Sequence, residues 1–379
     1  MSENLRGGGR QALPALALMV LAACGAENKE TAHPTDRAEQ AVLHVYNWSD
    51  YIGRTTIADF EAKTGIRVTY DTYDSNEVLE TKLLTGRTGY DVVFPTATIL
   101  GRMAKIGVFL ELDKDRLPNW ANMDPETLQQ VAVYDPGNRH AIPYMWGTTG
   151  LGYNPSLVAN VLGTDTIDSW RAVFDPAIAS KLAKCGITML DAPEDVFEAA
   201  EIYLGTDPGN EDLPEMAVTE AMLAKARPHV RSFDSTQHLN ALASGETCVA
   251  LSWSNLMLQA RDRGAAATRP VALRYVIPSE GAPLWFDTAA IPADAPHPGN
   301  AHRFLDFLMK PEVIASISNE IGTANGNAAS LPLVAASLRE NPSVYPGADV
   351  RERLHVSQER SPQYSRELNR AWTRIKTGQ

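Results

Sequence analysis

From Ala41 onward the chain alternates short apolar runs with amphipathic stretches. The first run, Val42 to Tyr46, stops at Asn47-Trp48-Ser49-Asp50 and predicts a strand ending in a polar loop. Ile57 and Phe60 then mark a helix closed by Gly65, and Arg67 to Tyr73 reads as a second strand. Asp74 offers an N-cap with Glu77 three positions on, so a capping box is expected to open a helix running to Thr85. Asp91 to Phe94 is a third, buried strand ending at Pro95-Thr96. Alternation with short loops predicts a parallel-rich sheet with helices on both faces. Ligands of such sheets collect beyond the carboxyl ends of the strands, which puts Trp48 to Tyr51 and Thr96 on one rim.

The pattern changes at Pro143 to Gly150, an aromatic and Gly/Thr-rich stretch followed by a new strand, Leu151 to Tyr153. This is the expected first crossing to a second α/β unit that runs to about Ala267, with Thr188 to Asp191 and Cys248 to Trp253 as strand ends. Val271 to Ile277 and Thr288 to Ile291 are expected to return to the first unit. The last helix, with Leu368, Trp372 and Ile375 on one face, should pack on the second. The division that follows is residues 41–144 plus 268–322 for one lobe and 145–267 plus 323–379 for the other. No fixed-period repeat is present, which excludes solenoids and arrays.

The segment before Ala41 has a different character. Arg6 and Arg10 precede an almost wholly apolar run from Ala12 to Ala23, the pattern of a signal peptide over residues 1–23. Leu21-Ala22-Ala23-Cys24 resembles a lipobox, in which Cys24 is lipidated and becomes the first mature residue. Residues 24–40 hold almost nothing that could join a core and read as a flexible tether. The expected location is periplasmic, on a lipid anchor. With Cys24 lipidated, Cys185 and Cys248 are an even pair in an oxidising compartment and read as a disulfide. The chain carries 34 basic and 46 acidic residues, net −12, which argues against nucleic acid and is compatible with cationic partners. Its histidines are scattered without metal-ligand spacing, and no cofactor is expected.

Recognising an ammonium group requires a carboxylate, hydroxyl or carbonyl acceptors, and aromatic faces. The expected strand ends supply these: Trp48, Ser49, Asp50 and Tyr51; Asp191 with Glu194 and Asp195; Trp253; and Trp285-Phe286-Asp287. Any one of the tryptophans could be core and any one of the aspartates a cap. Their recurrence on one rim is what points to a site.

At these residues the chain resembles the bacterial periplasmic polyamine-binding proteins. The similarity runs over Asn47 to Ile52, Asp74 to Glu80, Pro143 to Trp146, Leu190 to Glu194 and Asn341 to Asp349. It implies a two-lobe periplasmic binding protein of type II that closes on a small cationic amine, acts as a monomer and docks on a membrane ABC permease. It also implies a disulfide between Cys185 and Cys248. The family's ligand positions fall on Trp48, Ser49, Asp50, Tyr51, Thr96, Asp195, Trp253, Trp285 and Asp287. Two departures stand out: a pocket aspartate becomes Leu256, in the stretch Trp253-Ser254-Asn255-Leu256, and a tyrosine becomes Thr323. The family has phenylalanine at the Trp285 position. Two expectations follow beside simple putrescine capture. Either the ligand is monocationic, an acylated polyamine or an ω-amino acid held at its cationic end by Asp287 and Asp50 with its uncharged end near Ser254, Asn255 and Leu256, or Glu194 or Asp195 supplies the lost charge. A lipoprotein that senses an amine without transporting it would share the same residues.

Catalysis finds no support in the motifs. There is no nucleophile elbow, P-loop or metal set, and Gly147 to Gly152 has the wrong spacing for a dinucleotide fingerprint.

Overall fold

The computed structural model describes residues 39–235, 238–266 and 270–378. The expected signal peptide, most of the expected tether and Cys24 lie outside the described residues. Eleven strands can be followed in chain order: β1 (Val42–Trp48), β2 (Arg67–Tyr73), β3 (Val92–Val93), β4 (Ala141–Tyr153), β5 (Ile187–Met189), β6 (Val230–Phe233), β7 (Val249–Trp253), β8 (Arg274–Val276), β9 (Ala282–Ala290), β10 (Ala324–Asn325) and β11 (Leu354–Val356). The main path is β2-β1-β3-β9-β4-β7-β5-β6. β1 pairs in parallel with β2 and β3, and β5 with β6 and β7, whereas β9 runs antiparallel to both β3 and β4.

Across the stretch from Pro143 to Gly150 the two halves of the sheet are joined by one continuous strand. β4 pairs with β9 from Ala141 to Thr148 and with β7 from Thr149 to Tyr153, so one 13-residue strand serves both halves of the sheet. Its aromatic and glycine content reflects burial on both faces. β8 pairs with β4 at Leu151 to Tyr153 and so stays with the second half, while β10 pairs with β4 at Met145 and Trp146 in the first. The chain returns to the first half only at β9.

Each half has its own core. Leu43, Val45, Phe60, Phe304 and Phe307 gather in one, and Trp170, Phe174, Phe197 and Met189 in the other. Leu368, Trp372 and Ile375 of the last helix, Pro362–Thr377, are buried in the second core. Each such side chain contributes about 1.5–3 kcal/mol on burial. Cys185 and Cys248 are joined by a disulfide, with Cα atoms 5.4 Å apart.

One helix start differs from the expectation. The helix Asn76–Leu84 is capped by Ser75, whose hydroxyl accepts from the Val78 backbone N–H, so the box from Asp74 to Glu77 does not form. Ser75 has the extended backbone that a cap needs, which releases the Asp74 side chain for other contacts.

Candidate functional site

The carboxyl ends of β1, β2, β6 and β7 converge on one cavity of about 230 Å³. That is below the about 300–1,000 Å³ typical of drug-sized ligands and suits a short molecule. Trp48, Ser49, Asp50 and Tyr51 enter it from the end of β1, and Thr96 from beyond β3. Trp285 and Asp287 enter from β9, Asp195 from the first turn of the helix Pro193–Leu204, and Trp253 from the end of β7. All nine residues expected at the site therefore line one space, with Asn255 and Leu256 beside them.

The side chains are held by specific bonds. Trp48 donates its indole N–H to the Phe94 carbonyl at 2.9 Å and packs against Tyr73 with ring centroids 4.6 Å apart. Tyr51 is buried and donates to Asp287 Oδ2 at 2.7 Å. The other carboxylate oxygen of Asp287, a residue only 6% exposed, has no partner among the described residues. Asp195 Oδ1 accepts from Trp253 Nε1 at 2.8 Å and from Thr149 at 2.6 Å. Asp50 has φ of 53°, in the left-handed region, and its side chain lies 3.7 Å from the Arg263 guanidinium. Such backbone is tolerated by aspartate and is concentrated at ligand clamps.

Burial dominates the electrostatics. It pushes the Asp287 carboxyl up to about 7; the charge of Asp195 adds to the rise, and the Tyr51 hydrogen bond opposes it. Asp195 is also raised by burial, against the hydrogen bonds from Thr149 and Trp253. A cation entering the cavity would relieve both.

Other expected residues fall elsewhere. Glu194 lines a neighbouring cavity of about 350 Å³ that shares Trp48, Asp195 and Trp253 with the first. Burial raises its carboxyl to about 7. Thr323 is buried, its hydroxyl turned to the Ile321 carbonyl, and it does not line the main cavity. Asp191 anchors the last helix, accepting from Trp372 Nε1 at 2.7 Å and Lys376 Nζ at 2.8 Å. Residues that sequence reasoning did not assign to the site are Tyr73, Asp74, Asn76, Ser235, Gln259 and Arg263. Gln259 and Arg263 follow Asn255 at four-residue spacing on the helix Ser254–Ala266, a signal that could have found them. Among the described residues no group of His, Cys, Asp and Glu is arranged to hold a metal ion, and no helix is long and apolar enough to cross a membrane.

This arrangement of aromatic walls around carboxylates at the strand ends can be compared with known proteins. Residues 55–343 match the profile of the family described as bacterial extracellular solute-binding protein. The chain belongs to that family. It is 48% identical over 343 residues to the putrescine-binding periplasmic protein PotF of Escherichia coli, covering 90% of this chain and 93% of that protein. It is 45% identical over 342 residues to the putrescine-binding periplasmic protein SpuD of Pseudomonas aeruginosa, with the same coverage, 90% and 93%. The spermidine/putrescine ABC transporter substrate-binding protein PotD of Streptococcus pneumoniae superposes with a TM-score of 0.76 at 26% identity, covering 89% of this chain and 99% of that one. These relatives are binding proteins, and the fold is that of type II periplasmic binding proteins, as the resemblance implied.

Proposed function

We propose that this protein is the substrate-binding receptor of an ABC importer of the polyamine class, capturing putrescine or a related short linear amine by closure of two lobes, without catalysis. The observation that carries the reading is the cavity itself. Asp50, Asp74, Asp195 and Asp287 face it together with Trp48, Trp253 and Trp285, the set that ammonium recognition requires. In this reading the Asp287 carboxylate takes an ammonium through its unpartnered oxygen, and the indole faces cover the methylene chain. β4, the segment before β9 and the segment after β11 are the crossings between lobes. The lobes are residues 41–148 with β9 and β10, and residues 149–277 with the final helix. The receptor works as a monomer, tethered in the periplasm through lipidated Cys24, and delivers its ligand to a membrane permease. Deleting the gene should abolish high-affinity uptake of labelled amine, and restoring it with Cys24→Ser should give a protein released from the membrane fraction. Undiminished uptake in the deletion strain would count against a transport role.

A further inference from the structure

The cavity wall built by the helix Ser254–Ala266 has a chemistry of its own. The four carboxylates come from other elements, whereas this helix contributes Asn255, Leu256, Gln259 and Arg263, with no acid among them. Their three- and four-residue spacing puts them on one face. Asn255 and Leu256 lie in the first turn of a 13-residue helix, where backbone N–H groups lack intrahelical acceptors and the dipole is positive.

Two independent observations, one on this wall and one on β9, give this end of the cavity a preference for oxygen. Arg263 places a permanent cation at the lining, 3.7 Å from Asp50, so that carboxylate already has a positive partner. The Trp285 indole N–H is buried with no acceptor among the described residues, and an ammonium group cannot serve as one.

We propose that Arg263, Trp285 and the first turn of this helix read an oxygen-bearing end of the ligand, so that the cavity prefers a linear ω-amino carboxylate to a diamine. Its ammonium lies toward Asp287 and Asp195 and its carboxylate toward Arg263. The inference rests on the amine-receptor reading and narrows it. A second ammonium at this wall would face a guanidinium and leave the Trp285 N–H unpaired, while a carboxylate meets both.

The test is calorimetric titration of the full mature protein with three probes: putrescine, its mono-N-acetyl derivative, and the amino carboxylate of the same carbon count. The wild type should bind the amino carboxylate at least about tenfold more tightly than putrescine, as expected for hydrogen bonds to a charged group, with the acetyl derivative between them. Arg263→Gln should reverse that order, and Trp285→Phe should weaken the amino carboxylate without improving putrescine. The Arg263 side chain is 48% exposed, so thermal unfolding of the unliganded variant should match the wild type and confirm a folded protein. A wild type that prefers putrescine, or an order that Arg263→Gln leaves unchanged, overturns the inference and leaves the amine reading standing. Failure of the folded wild type to bind any of the three overturns the amine reading, and the inference with it.

Discussion

Replacing Asp287 by Asn should move binding and stability in opposite directions. The change keeps the shape of the side chain and an oxygen that can still accept from Tyr51, now at 2.7 Å, but removes the charge. Removing one partner of a buried charge pair costs about 3–5 kcal/mol, a loss of some hundredfold to a few thousandfold in amine affinity. In the unliganded protein the same carboxylate is unfavourable. Its pKa is raised from 3.8 to about 7, so the native state holds a proton that the unfolded chain releases near pH 4. The native state therefore binds more protons across that window, and stability falls as pH rises through it. At about 1.4 kcal/mol per unit the shift bounds the penalty at roughly 4 kcal/mol above pH 7, and Asp287→Asn should recover a part of it, about 1–2 kcal/mol. Below pH 4 both forms are neutral and the difference should vanish. Titration calorimetry at pH 8, paired with thermal unfolding of the unliganded protein at pH 8 and pH 4, reads both effects. An affinity within threefold of wild type would refute the role of Asp287, and a variant less stable than wild type at pH 8 would refute the electrostatic argument.

Other consequences follow from the same geometry. Because a cation favours ionised Asp287, amine affinity should rise with pH between about 6 and 8 by at most about tenfold per unit below pH 7, with proton release near pH 7 visible as buffer-dependent binding enthalpy; a flat or falling profile would contradict this. Glu198, 4% exposed and raised by burial to about 8, accepts from Ser357 Oγ at 2.6 Å, so Glu198→Gln should keep that bond and be at least as stable as wild type at pH 8 in urea unfolding. A loss there of more than about 2 kcal/mol, the scale of a broken buried hydrogen bond, would show that the charge is needed. Gly147 faces Trp285 across the β4–β9 ladder, and a Cβ there would come within 2.5 Å of Trp285 Cζ2. Gly147→Ala should displace the indole at a cost of about 1–3 kcal/mol and weaken ligand binding, and unchanged affinity and tryptophan fluorescence would argue that the ring has room to move.

The rim of the cavity was legible because strand ends are local events. Val42 to Tyr46 and Cys248 to Trp253 each stop at a polar or aromatic residue, and the carboxyl-end rule carries those residues to one place. Residues whose role depends on distant partners were harder to read. Asp191 has the composition of a rim acid, yet it is fixed by Trp372, 181 positions away, and nothing local announces that bond. Asp74 reads as a cap because it precedes a helix; the cap is Ser75, one residue nearer, and Asp74 faces the cavity instead. Gln259 and Arg263 look like the solvated face of a surface helix until Asn255 and Leu256 are known to line the cavity. The three-residue β8 carries no signal of which half of the sheet it joins, and only its pairing with Leu151 to Tyr153 decides it.

The central claim is that the cleft captures a short linear amine. Its most direct test is the thermal unfolding of the purified mature protein against a panel of diamines, triamines, monoamines and amino carboxylates. A ligand that binds only the folded state stabilises it by about 2.7 kcal/mol at a hundred times its dissociation constant. The account predicts a concentration-dependent rise in the midpoint for at least one short linear amine, lost in Asp287→Asn. No shift across the whole panel, or a shift that Asp287→Asn leaves intact, would contradict it.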